Sequence, residues 1–110
     1  MWNDVPAQRI SAGIDRQMIV GHKLMMCRLT LQPHVETPVH SHPHEQMTLV
    51  EQGAVRFTID GQERIARAGD VLLFPPHVQH GATMLDEDVV LVDIFSPLRE
   101  DFLPGERSRG

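Results

Sequence analysis

The sequence predicts an all-β, single-domain protein, a sandwich or small barrel, on three observations. Hydrophobicity alternates with a period of two from end to end, and no window of about 11 residues carries a helical stripe. Turn-forming residues recur every eight to twelve residues or so, and prolines close the apolar runs. At 110 residues the chain suits one domain, 1–110, with a barrel core from about 20 to 100 and peripheral termini; it is long enough to bury a core without disulfides or a structural metal.

The first strand is legible in KLMMCRLTLQP, where Met25, Cys27, Leu29 and Leu31 fall on one side and Met26, Arg28, Thr30 and Gln32 on the other. In AVRFTIDGQERIARA, Val55, Phe57 and Ile59 share a face, the pattern breaks at Asp60-Gly61, and it resumes with Ile65. That dipeptide tolerates the positive φ of a type I′ turn, so the two arms are expected to pair antiparallel. GDVLLFPP and DVVLVDIFSP are further strands, each preceded by a polar turn and stopped by proline, which cannot donate to a ladder. The first ten residues and the tail PGERSRG read as peripheral or frayed segments.

Charge and composition exclude several function classes. A net charge of −5 with scattered basic residues leaves no footprint for nucleic acid or an anionic membrane surface. No run approaches the roughly 18 apolar residues of a membrane span. The lone Cys27 cannot form an intrachain disulfide, and MWNDVPAQ lacks the pattern of a secretory signal, so the expected compartment is the cytoplasm.

Residues 40–46 read HSHPHEQ, in a chain with only seven histidines. His40 and His42 share a parity, so a strand would project both imidazoles from one face, close enough for one cation. Gln46 follows, and His80 in PPHVQHGA can return to the same point from another strand. Together they make three nitrogens and an amide oxygen, a divalent-metal site. His44 and Glu45 stay open at this stage. Pro43 breaks the parity that would aim His44 inward, and Glu45 competes with Gln46 as the oxygen ligand.

The run from His40 to Gln46 followed by Gly53 resembles the first motif of the cupins, and Gly69, Pro75 and His80 resemble the second. The resemblance covers about residues 20–100. It implies a small double-stranded β-helix, or jelly-roll barrel, with one divalent transition metal inside, held by His40, His42, Gln46 and His80. Where those motifs carry glycine, positions 34 and 77 are histidine; both are turns, and histidine enters the left-handed region more readily than most residues. Met84 stands where the second motif ends in asparagine. Zinc, nickel, iron, manganese and cobalt all suit such a donor set.

Three neutral imidazoles and a neutral amide leave the ion's charge uncompensated, so the site should favour an anionic ligand. The same neutrality argues against the two-histidine, one-carboxylate oxygenase triad and for Lewis-acid chemistry. In DIFSPLREDFL, Asp93, Phe95 and Arg99 share a parity and are expected at the barrel mouth. An aspartate within VVLVDIF is costly to bury without a partner or a proton. It is either a general acid or base, or one half of an ion pair that fastens the terminus.

Taken together, HSHPHEQ, PPHVQHGA and D-x-F-S-P-x-R-E-D-F resemble the KdgF-type cupins of pectin and alginate breakdown. That resemblance implies conversion of 4,5-unsaturated monouronates to linear keto-uronates, with Arg99 forking the substrate carboxylate, Asp93 moving the proton and Phe95 packing on the ring. The alternatives are a metal-dependent cupin oxygenase and a non-catalytic sugar-acid-binding cupin. A sulfur-compound lyase of this class usually relies on tyrosine, and the chain has none. A homodimer is expected, because small barrels leave sheet edges to cover and RQMIV offers an apolar segment.

Overall fold

The computed structural model describes residues 1–103, so the tail PGERSRG lies outside the described residues. Nearly all of its regular structure is in ten strands: β1 Gln8–Ser11, β2 Ile14–Val20, β3 Met25–Leu31, β4 Glu36–His40, β5 Glu45–Gln52, β6 Ala54–Ile59, β7 Gln62–Arg67, β8 Val71–Phe74, β9 His80–Met84 and β10 Val89–Ser96. They form a six-stranded sheet in the order β1-β2-β3-β10-β5-β8 and a four-stranded sheet in the order β4-β9-β6-β7. From β3 onward the chain passes back and forth between the two sheets, which is the winding of a double-stranded β-helix. Among the described residues no helix is long and apolar enough to cross a membrane.

The alternation read from the sequence holds in β3. Met25, Cys27 and Leu31 are buried, and they lie in register with Phe95, Asp93 and Val89 of β10. The main core fills the space between the sheets with Leu31, Val50, Val55, Phe57, Phe74 and Met84. A smaller cluster of Met25, Cys27 and Phe95 packs against Phe102 and Leu98 at the other end. Apolar burial at these positions drives the sheets together and leaves the polar inward positions between them.

The hairpin expected at Asp60-Gly61 is present, with φ of 49° and 81° at its two residues, as a type I′ turn requires. One detail differs. Ile65, expected inward, is 52% exposed, and the inward apolar residue of β7 is Ala66. The two-residue turn pairs Ile59 with Gln62 and Val55 with Ala66, so β7 turns its even-numbered residues to the core. The first ten residues do lie at the edge of the sheet, but as an ordered strand and a short 3-10 turn at Trp2–Asp4. Gln17 ties that turn down by donating to the carbonyls of Trp2 and Val5 at 2.9 and 2.8 Å.

His34 and His77 adopt positive φ, 66° and 69°, so both serve as turn residues. Gly53, at φ 86°, closes the turn between β5 and β6; a Cβ there would lie 2.6 Å from the Asp88 carbonyl oxygen. Only glycine satisfies both the conformation and the approach.

Candidate metal centre

Three histidines converge where the two sheets meet. His40 ends β4 and His80 begins β9, and the two are partners in the β4–β9 ladder. His42 reaches them from the loop before β5, since the strand stops at His40. The route differs from a continuous strand, but the result is the expected one: ligating atoms of His40, His42 and His80 lie within 4.8 Å of one another. The loop is held by a hydrogen bond from the His77 amide to the His42 carbonyl, 2.8 Å. His80 stacks on the core ring of Phe74 at 4.6 Å, and His42 meets the edge of Phe95 at 5.8 Å.

Each Nδ1 of the three rings faces a backbone carbonyl: Pro38 at 2.9 Å for His40, His44 at 3.1 Å for His42 and Val78 at 3.0 Å for His80. A carbonyl can only accept, so each Nδ1 carries the hydrogen and each Nε2 presents a lone pair. This is the usual orientation device of metal-binding imidazoles.

Gln46 joins the cluster through a chain fixed by strand geometry. Gln46 and Thr48 share the inward face of β5, and β10 places Phe95 opposite Gln46 and Asp93 opposite Thr48. The Thr48 hydroxyl donates to Asp93 Oδ1 at 2.6 Å and accepts from Gln46 Nε2 at 2.9 Å. The amide oxygen is thereby turned to His42 Nε2, 3.0 Å away. With Nδ1 protonated, that contact sets two lone pairs against each other. A doubly protonated ring would resolve it, but burial, and then the charge of Arg99, push His42 down to about 4. A cation bonded to both atoms resolves it at neutral pH, so the residues fit a divalent ion. Burial also lowers His80.

Glu45 and His44 lie differently from the cluster residues. Glu45 opens β5 on the outer face and is exposed, while Gln46 is 6% exposed and inward. His44 stands outside the cluster with its ring 5.4 Å from that of His42, and its Nδ1 is buried without a partner among the described residues.

Asp93 is buried and accepts the Thr48 hydroxyl, and it forms no ion pair among the described residues. Desolvation raises it to about 6, even though the Thr48 and Gln46 hydrogen bonds and the Arg99 charge act the other way. Arg99 follows β10 and is clamped by Asp101, Nε to Oδ1 at 3.0 Å and Nη2 to Oδ2 at 2.8 Å. This holds the Asp101 carboxyl below its ordinary range. The fork edge of Arg99 is therefore taken, and its outer Nη1–Nη2 edge remains for a ligand. Phe95, Arg99 and Asp93 all line one cavity of about 200 Å³ together with His40, His80 and Gln46. The sequence reading missed Thr48, Asp101, Phe102 and Arg16 at this site. Thr48 alone had a signal, its shared parity with Gln46.

Residues 27–95 match the model of the cupin domain. The chain belongs to the cupin domain family. Among relatives of this cupin is the pectin degradation protein KdgF of Dickeya dadantii (strain 3937), 34% identical over 104 residues, covering 92% of this chain and 94% of that protein. An RmlC-like cupin from Shewanella frigidimarina NCIMB 400 superposes with a TM-score of 0.88 at 36% identity over 94% of this chain and 93% of the other. The structure of KdgF from Halomonas sp. gives a TM-score of 0.88 at 30% identity, over 94% and 96% of the two chains. A predicted oxalate decarboxylase from Thermotoga maritima shares the fold at 17% identity, with a TM-score of 0.80 over 89% and 97%.

Proposed function

We propose that this cupin converts 4,5-unsaturated monouronates, products of pectin and alginate breakdown, to linear keto-uronates, with one divalent transition metal held by His40, His42, Gln46 and His80. The observation that carries the reading is the continuous bonded path from the histidine cluster through Gln46 and Thr48 to the buried Asp93, in a chain 34% identical to a pectin degradation protein.

The reaction is an isomerisation. The C1 hydroxyl loses a proton, the bond from C1 to the ring oxygen breaks, and the C5 enolate so formed is completed as a ketone when C4 gains a proton. A bound divalent ion supplies Lewis acidity toward a substrate oxygen. Asp93 lines the cavity and, poised at about 6, holds or releases a proton near neutral pH. The outer edge of Arg99 binds the substrate carboxylate. Phe95 walls the cavity and braces His42 as well as offering a face to the ring. Metal-loaded protein given unsaturated galacturonate or guluronate monomers should speed the loss of their conjugated ene-carboxylate absorbance. Absorbance that decays at the protein-free rate would contradict the assignment.

We further infer a cytoplasmic homodimer. The outer face of the larger sheet carries an apolar row, Ile19, Met26, Ile94, Met47 and Leu73, in register across five strands. Ile19, Met47 and Leu73 are 40%, 46% and 52% exposed. The row spans roughly 20 Å at about 4.8 Å per strand. Leu49 and Val71 lie beside the row on the same sheet, and an exposed apolar row of this extent is the kind of surface that a second copy covers.

A further inference from the structure

Strand β2 pairs Ile14, Arg16 and Met18 with Leu31, Leu29 and Cys27 of β3, so all three face the interior. A guanidinium between two apolar inward residues requires a reason. Its Cζ lies 4.5 Å from the centre of the Phe102 ring, and the residue lines the same cavity as His40, Gln46, Asp93 and Arg99. The ion pairs that arginines form among the described residues engage Arg9, Arg28, Arg56 and Arg99. None engages Arg16, and no side-chain hydrogen bond among the described residues ends on it.

Stacking uses the face of a guanidinium and leaves its in-plane N–H donors free. Arg99 meets the same Phe102 ring at 4.2 Å, with its fork edge already on Asp101. The mouth thus sets two guanidiniums around one aromatic ring; Asp101 pairs with Arg99, and the in-plane donors of Arg16, which no carboxylate among the described residues engages, favour an anionic ligand.

We propose that Arg16 is a specificity-determining residue: it holds the carboxylate of a small sugar acid together with the outer edge of Arg99, and so makes the cavity select the acid over its neutral counterpart. This rests on reading the cavity as a sugar-acid site. The carboxylate is received by in-plane donors from β2 and from the segment after β10, far apart in the chain, with Phe102 fixing both planes. A cation on β2 thereby gives the N-terminal hairpin a role in recognition.

The test is calorimetric binding of galacturonate and of its methyl ester, which keeps the ring and loses the charge, to zinc-loaded wild type, Arg16→Met and Arg16→Lys. Loss of a charge-assisted fork predicts that Arg16→Met binds galacturonate about tenfold to a hundredfold more weakly, with the ester unchanged. Arg16→Lys, which keeps the charge without the fork, should fall between. Should Arg16→Met fail to fold, the wild-type Arg16 Nε–Hε resonance decides: it should shift with galacturonate and stay in place with the ester. An unaltered acid-to-ester ratio in a folded Arg16→Met, an unmoved resonance, or a wild type that binds no galacturonate would each overturn the proposal. Failure to turn over unsaturated monouronates, with this selectivity intact, would refute the reaction and leave the role of Arg16 standing.

Discussion

Asp93→Asn should make the metal-free protein more stable while removing its turnover. Asp93 rises from 3.8 to about 6 on folding, a difference of about 2 units, or about 3 kcal/mol at about 1.4 kcal/mol per unit. Because the folded pKa is the higher one, the folded state binds the extra proton. The cost is therefore absent below 3.8, grows as pH rises through the interval from 3.8 to about 6, and is complete above it. Asparagine keeps an oxygen for the Thr48 hydroxyl and carries no charge at any pH. For a domain of this size the full difference corresponds to a rise in Tm of roughly 10–20 °C. Thermal melts of chelator-treated wild type and variant at pH 8 and at pH 4 give the comparison. The expected result is a gain of up to about 3 kcal/mol at pH 8 that closes toward pH 4. Metal content should stay at that of the wild type, because Asp93 is not a ligand. A variant less stable at pH 8, or a difference independent of pH, would refute the assignment of Asp93 as a strained buried carboxylate.

Thr48→Val keeps the side chain's shape but cuts the path between Gln46 and Asp93; zinc affinity should fall about tenfold to a hundredfold, and stability by about 1–3 kcal/mol, as read by competition titration and denaturant melts. Zinc affinity should be lost as pH falls through about 4, where His42 gains a proton in the folded protein; affinity that persists unchanged below that value would count against imidazole ligation. Gly53→Ala meets both the positive φ and the Asp88 carbonyl and should cost about 1–3 kcal/mol by urea denaturation. Met47→Glu places a charge within the apolar row on the outer sheet face and should shift a dimer to a monomer in sedimentation; an unchanged sedimentation coefficient would place the interface elsewhere.

The fold and the histidine cluster were legible because each depends on a local pattern. Period-two alternation marks an inward face whatever its partner strand, and HSHPHEQ concentrates donors where two strands meet. Ile65 misled because the two-residue turn fixes the parity of β7 through its pairing with β6, and its apolar side chain happens to lie on the outward parity. The path to Asp93 was half legible: Gln46 and Thr48 share a face in the sequence itself, but that Thr48 stands opposite Asp93 depends on the β5–β10 register. Arg16, Asp101 and Phe102 were not legible at all. Their meeting brings β2 against the segment after β10, more than 80 positions away, and no spacing rule links them.

The central claim is that three Nε2 atoms and one amide oxygen converge on a single ion, and its most direct test is an anomalous-difference map of crystals grown with zinc. The account predicts one peak per chain, about 2.0–2.2 Å from His40, His42 and His80 Nε2 and from Gln46 Oε1. A cluster without a peak, or an ion bound instead through Glu45 or a His44 swung inward, would contradict it.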